Sequence, residues 1–320
     1  VNQELFTERG EKRWRAFEDR LKAIEIDKKP GSRDFSLLYR SVCHDLALAR
    51  QRLFDAHLID RLNGLALRGH QHLYKTPTGG FSRVTDFCVR GLPIAIRAEV
   101  RFVLVAALLF YGSGMALALS IQWFPELVYS VLDPSMVASL EAMYDPESAH
   151  HLRPRGYDSD AAMFGFYIRN NVTIGFRTFA SGVFAGIGSL FFILYNGVVL
   201  GAVAGHLHHI GFGRTFSSFV IGHGALELQA IVLSAAAGLR LGWPILAPGH
   251  HRRLDALRLG AKRAVPLVYG AFGLFVGAAV LEAFWSSSVL VPHNVKYGVG
   301  AILWLLVGFY FVSPGRNHGP

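Results

Sequence analysis

The chain has 320 residues, 52% of them hydrophobic, with 34 glycines, two cysteines and a formal net charge of +9. Several apolar runs approach or exceed the roughly 20 residues that cross a bilayer, which excludes an ordinary two-domain soluble protein and predicts an all-α polytopic membrane protein. The positive charge is divided among separate segments without a nucleic-acid-binding pattern, so no nucleic acid partner is expected.

Residues 1–98 read as a helical domain ahead of the membrane. VNQELFTERGEKRWRAFEDR is charged at helical spacing and does not read as a signal peptide. Trp14, Phe17, Leu21 and Ile24 form a stripe at three- and four-residue intervals, which Pro30-Gly31-Ser32 breaks. FSLLYRSVCHDLALARQRLF predicts a second helix. A third, after Asp60, carries Leu62, Leu65, Leu67 and Leu73, and Thr76 to Gly80 is a loop. Cys43 and Cys88 lack CxxC spacing, which argues against a disulfide framework or a structural zinc. His44, His57, His70 and His72 read as solvated or packing residues. Between Phe81 and Arg101 apolar residues mix with Arg83, Arg90, Arg97 and Arg101, as in an amphipathic helix lying on an anionic membrane surface.

Residues 99–313 read as the membrane domain and 314–320 as a tail, with a first span at 100–123. Loop 124–160 is acidic, with Glu126, Asp133, Glu141, Asp145, Glu147, Asp158 and Asp160 against Arg153 and Arg155. Loop 240–264 is basic, with Arg240, Arg252, Arg253, Arg258, Lys262 and Arg263 against Asp255. Positive residues collect on the cytoplasmic side, which places the front domain and loop 240–264 inside and loop 124–160 outside. An odd number of crossings must then lie between Asp160 and Arg240, and the candidates are 161–181, 182–207 and 215–239. Arg169, Asn170, Asn171 and Arg177 suit lipid poorly, so 161–181 reads either as a protein-shielded crossing or as an interfacial or re-entrant piece. Spans at 265–290 and 297–313 follow, giving six crossings with both termini cytoplasmic, or five if 161–181 does not cross.

Within the spans, Gly197, Gly201 and Gly205 recur every four residues, so they share a helix face that lets another backbone approach; Gly182 and Gly186 are spaced likewise. His223 and Glu227 are also four apart on one face. By this segmentation, Glu227 and Glu282 are the acidic residues inside apolar spans, where a carboxylate is costly unless neutral, paired or facing water. With Asn196 and Asn171 they are candidates for an intramembrane polar network. The same residues admit a proton- or ion-handling path. They also admit a metal site, in which HxxxE has helical ligand spacing and Glu282 or His206 is the third ligand. No metal is assigned on spacing alone. His206, His208 and His209 read as a solvated helix end. No P-loop, Rossmann glycine pattern or GxSxG nucleophile appears in a suitable context, and no cofactor is expected.

GHGALELQAIVLSAAAGLRLG, preceded by NNVTIGFRTFASGVFAGIGSLFFILYNGVVLGAVAG and followed by VLEAFW, resembles the stage II sporulation protein M family of integral membrane proteins over about residues 100 to 313. The pattern here is Asn170-Asn171, Gly182 and Gly186, Asn196-Gly197, His223-Gly224 with Glu227, and Glu282. Gly222 stands where the family usually has proline. LYRSVCHDLALARQR and RLNGLALRGHQHLYK look like the cytoplasmic extension of non-sporulating members. The resemblance implies a bacterial cytoplasmic (inner) membrane location. It also implies a non-enzymatic scaffold or recruiter in an envelope or cell-wall-remodelling complex; the glycine faces would pack helices or a second copy, so a homo-oligomer among membrane lipids is expected. The partners it implies are other envelope membrane proteins, MoxR-type ATPases and RDD-type membrane proteins. A transporter or channel using His223, Glu227 and Glu282, and an intramembrane metallohydrolase, are the competing readings.

Overall fold

The structure, a computed structural model, describes residues 2–27, 33–73, 80–147 and 157–312. The break at Pro30-Gly31-Ser32, residues 76–79 of the second loop, residues 148–156 of loop 124–160 and the tail 314–320 lie outside the described residues. The chain divides into two compact units, Val1–Arg83 and Val84–Pro320. The amphipathic stretch after Arg83 thus belongs with the second unit.

The first unit contains α1 (Gln3–Asp27), α2 (Arg33–Gln51) and α3 (Ala56–Leu73). Trp14, Phe17 and Leu21 of α1 are fully buried against Val42 and Leu62, a core of large side chains from all three helices. The buried Asp45 is satisfied inside that core. The Trp14 indole N–H donates to it at 2.9 Å and the Arg13 guanidinium at 3.0 Å, as a desolvated carboxylate requires. Asp55 accepts the His57 N–H at 3.0 Å and so caps the start of α3. Leu67, read from the sequence as part of the α3 stripe, is 59% exposed, because it points away from Leu62 and Leu65.

The second unit opens with α4 (Gly80–Asp86), in which the division falls, a π-turn at Phe87–Gly91 and α5 (Leu92–Ala98). Then come α6 (Val100–Trp123), a 3-10 turn at Pro125–Ser130, α7 (Pro134–Tyr144) and α8 (Tyr157–Ala180). The chain finishes with α9 (Ile187–His209), α10 (Gly213–Leu246), α11 (Arg253–Leu281), a π-turn at Glu282–Ser286 and α12 (His293–Val312). Among the described residues there is no strand. Five helices are long and apolar enough to cross a membrane: α6, α9, α10, α11 with its π-turn, and α12. Their outward faces are lipid-like, for example Leu104, Leu108, Phe191, Leu305 and Phe309.

The packing fixes each helix direction. Gly197 lies on the Phe110 carbonyl, Gly201 on Gly114 and Gly205 on Ala118, so α6 and α9 run parallel with backbones in contact. α10 is antiparallel to α6, since Gln229 donates to the Tyr111 hydroxyl at 3.0 Å and Arg240 meets Glu99 at 3.0 Å. α11 returns beside α10, with Gly260 near Pro244 and Gly277 near Leu226. α12 turns back again, with His293 on Ser218 and Gly300 on Ile221. α8 runs parallel to α10, with Gly175 against Ser234 and Gly182 on the Gly238 backbone.

Taking the end where α6 begins as the near end, α6 therefore finishes at the far end while α9 begins at the near end. α8 carries the chain back through the full depth of the unit. It is a sixth long helix, covered on one face by α10 and α11, though its composition is not that of a lipid-facing span. The α8–α9 turn at the near end uses left-handed backbone at Ala185 (φ 53°) and Gly186 (φ 83°). The connection between α10 and α11 is short, 247–252, because Arg240 is buried within α10 and the basic residues from Arg253 onward begin α11.

Candidate functional site

The far half of α10 begins at Gly213, and His223 and Glu227 follow on one face a turn apart. Gly222 lets the Trp285 ring edge and Ser286 come close; a Cβ there would stand 2.8 Å from the ring. That contact brings the π-turn Glu282–Ser286 against α10 and delivers Glu282 to the same spot. One ligand atom each from His223, Glu227 and Glu282 lie within 4.8 Å of one another. His223 Nε2 is 3.9 Å from Glu227 Oε2, while its Nδ1 is 3.0 Å from the Ser286 hydroxyl. Phe219 packs its ring on His223 at 5.1 Å between centroids. His223 and Glu282 are buried and Glu227 is half-buried.

A cavity of about 710 Å³ reaches Glu282 of this cluster. Glu282 and Ser286 form part of its wall, with Tyr144 and Tyr167 on one side and His293 and Lys296 of α12 on another. It lies at the far end of the unit, among α7, the starts of α8, α10 and α12, and the turn after Ser286. The Lys296 ammonium donates to the Ser286 carbonyl at 2.7 Å. Burial, and then the negative charge of Glu282, push the Tyr144 hydroxyl above its ordinary value.

The other sequence candidates lie elsewhere. Asn196 donates to the Phe192 carbonyl of its own helix at 2.7 Å. Asn171 is buried in the face of α8 that meets α10 and α11 and accepts from Asn170 at 3.0 Å. His206 pairs with Glu141 of α7 at 2.7 Å, so it is neither a solvated helix end nor a member of the cluster. Arg90 and Arg101 are exposed and Arg97 half-buried in the second unit, and Arg83 is exposed in the first. The face of Gly197, Gly201 and Gly205 is occupied by α6, and Gly182 and Gly186 pack on Gly238 and Leu239.

A buried ion pair and a buried lysine in the second unit escaped the sequence reading. Glu99 and Arg240 form a buried ion pair at 3.0 Å, out of line for a hydrogen bond, with Arg240 also over the Phe102 ring at 5.9 Å. The available signal was opposite charges at the edges of two apolar runs. The lysine is Lys296, just ahead of the last apolar run.

Together the fold and this cluster define a polytopic α-helical membrane protein with a histidine and two glutamates gathered between its helices. The stage II sporulation protein M family profile matches residues 102–287, more than half the chain, and the chain belongs to that family. A second profile, of a domain of unknown function, matches residues 4–75 in the front unit. No curated protein and no solved structure matches the chain.

Proposed function

We propose that the protein is a non-enzymatic membrane subunit of a bacterial envelope or cell-wall-remodelling complex. In this reading the membrane unit anchors and the front unit recruits. The observation that carries the reading is the outer face of α8. Arg169, Asn170, Phe176 and Arg177 are exposed there, with Thr173 half-buried among them. This face lies on a helix that traverses the unit between the level of Phe164, beside Phe284, and that of Gly182, beside Gly238. Charged groups facing hydrocarbon at such depth cost several kcal/mol on the order of the insertion scales, so they point to protein rather than lipid as the neighbour. Neither arginine has an ion pair among the described residues. A neighbouring membrane helix bearing a carboxylate or a row of polar groups complements the face. Basic residues at the near end, Arg252, Arg253 and Arg258 among them, support placing that end in the cytoplasm of a bacterium with its cytoplasmic membrane as the location.

The reading is tested by replacing both arginines with leucine and asking whether the chain complements a strain lacking it. Arg169→Leu with Arg177→Leu makes the face more compatible with lipid, so the protein is expected to insert and purify normally yet fail to restore the envelope phenotype. Full complementation contradicts the reading.

A further inference from the structure

His223, Glu227 and Glu282 have the composition and reach of a metal centre, and we propose that they bind one divalent transition-metal ion, with zinc the best match. Three protein ligands at about 2.0–2.2 Å from a tetrahedral ion stand roughly 3.4 Å apart. The 3.9 Å from His223 Nε2 to Glu227 Oε2, and the 4.8 Å limit for the whole group, are within a small side-chain rotation of that spacing.

The surroundings suit a ligating histidine. The Nδ1 side of the ring faces the Ser286 hydroxyl at 3.0 Å, so an Nδ1–H donated there leaves the Nε2 lone pair facing the carboxylates. That hydroxyl is on the π-turn that also carries Glu282, so one short segment supplies a ligand and orients another. Charge favours the same assignment. Two carboxylates brought together in a poorly hydrated interior repel each other, and a divalent cation neutralises both. The imidazole distinguishes the site from the all-oxygen cages that magnesium and calcium prefer.

Three protein ligands leave one position of a four-coordinate ion open. Glu282 lines the far-end cavity, so the open position is served from it. Lys296 and His293 on the cavity wall favour water or an anionic oxygen there. The pair His206–Glu141 has no third ligand of this kind among the described residues, which makes it an internal control.

The test uses the full-length chain in detergent, loaded with zinc chloride, desalted and analysed for metal by mass spectrometry and X-ray absorption. About one zinc per chain is expected, with nitrogen and oxygen neighbours at about 2.0–2.2 Å. Glu227→Gln and Glu282→Gln are expected to lose the ion, Ser286→Ala to weaken it roughly 10- to 100-fold, and His206→Gln to retain it. Wild-type protein that retains no zinc overturns the proposal. So does a sulfur neighbour at about 2.3 Å, which points to Cys43 or Cys88, or a zinc content that Glu282→Gln leaves unchanged. If the glutamine variants do not fold, the stoichiometry and absorption spectrum of the wild-type chain decide the matter alone.

Discussion

Single charges in this protein are stabilising or costly according to what stands opposite them. Arg240 and Glu99 are both buried, and removing one leaves the other without a counter-charge. Arg240→Met is therefore expected to destabilise the membrane unit by about 3–5 kcal/mol, while Arg240→Met with Glu99→Gln recovers much of that loss. Thermal unfolding in detergent measures both, and equal losses for single and double variants contradict the pairing. On the front unit, Glu11 illustrates the exposed case. Hydrogen bonds from Arg61 and then Arg15 lower its carboxyl from 4.5 to about 2. A folded value below the unfolded one means the stabilisation is present above pH 4.5 and is lost as the pH falls toward 2. The side chain is a quarter exposed and solvent screens the pair, so the effect is no more than about 1 kcal/mol. Arg61→Ala is expected to flatten the acid limb of the front unit's unfolding, and an unchanged limb contradicts it.

Among the elements, α6 and α9 depend most on backbone contact. A Cβ at Gly201 collides with the Gly114 backbone, whereas one at Gly112, two residues away on α6, meets nothing within 4 Å. Gly201→Ala is expected to cost about 1–3 kcal/mol through overpacking, and Gly112→Ala to be neutral or stabilising by up to about 1 kcal/mol. Similar melting of the two variants contradicts the close approach. The glycine repeat was visible in the sequence because a four-residue interval defines a helix face without reference to a partner; which helix covers that face was not. α6, α9 and α12 were visible as unbroken apolar runs. α8 was ambiguous because Arg169, Asn170 and Arg177 lie on its exposed face while Asn171, Gly175 and Thr178 lie on the buried face toward α10 and α11, so its polar face and its buried face cancel in any average. The His223–Glu227 half of the cluster follows from helical spacing. Glu282 is legible as the other carboxylate inside an apolar span, but its approach to that pair depends on the Gly222–Trp285 contact that seats the π-turn, which no local pattern encodes. Lys296 and the Glu99–Arg240 pair sit at the edges of apolar runs, where composition reads them as loop charges.

Across the whole molecule, the chain forms two compact units. The front unit has its own core around Trp14, Phe17 and Leu62, so residues 2–73 expressed alone are expected to fold as a helical domain with cooperative melting. A non-cooperative, Trp14-exposed fragment contradicts that independence. In the membrane unit, the alternating directions of six helices put the start of α6 and the end of α12 at the same end. In the proposed orientation, argued from the charge pattern, this end faces the cytoplasm. With Cys43 and Cys88 replaced, Glu126→Cys is expected to react with an impermeant thiol reagent in intact cells and Asp255→Cys to be protected; the reverse pattern inverts the orientation. The central claim, that the chain works inside a complex and presents the polar face of α8 to a partner, is tested most directly by photo-crosslinking in living cells. Phe176 is 63% exposed on that face and tolerates an aromatic photoreactive analogue, and Leu305 of α12, 74% exposed among apolar neighbours, is the lipid-facing reference. The account predicts a discrete adduct of the position-176 analogue with another membrane protein, absent at position 305 and lost when Arg169 and Arg177 are leucine. Equal lipid labelling at both positions, with no protein adduct at 176, contradicts it.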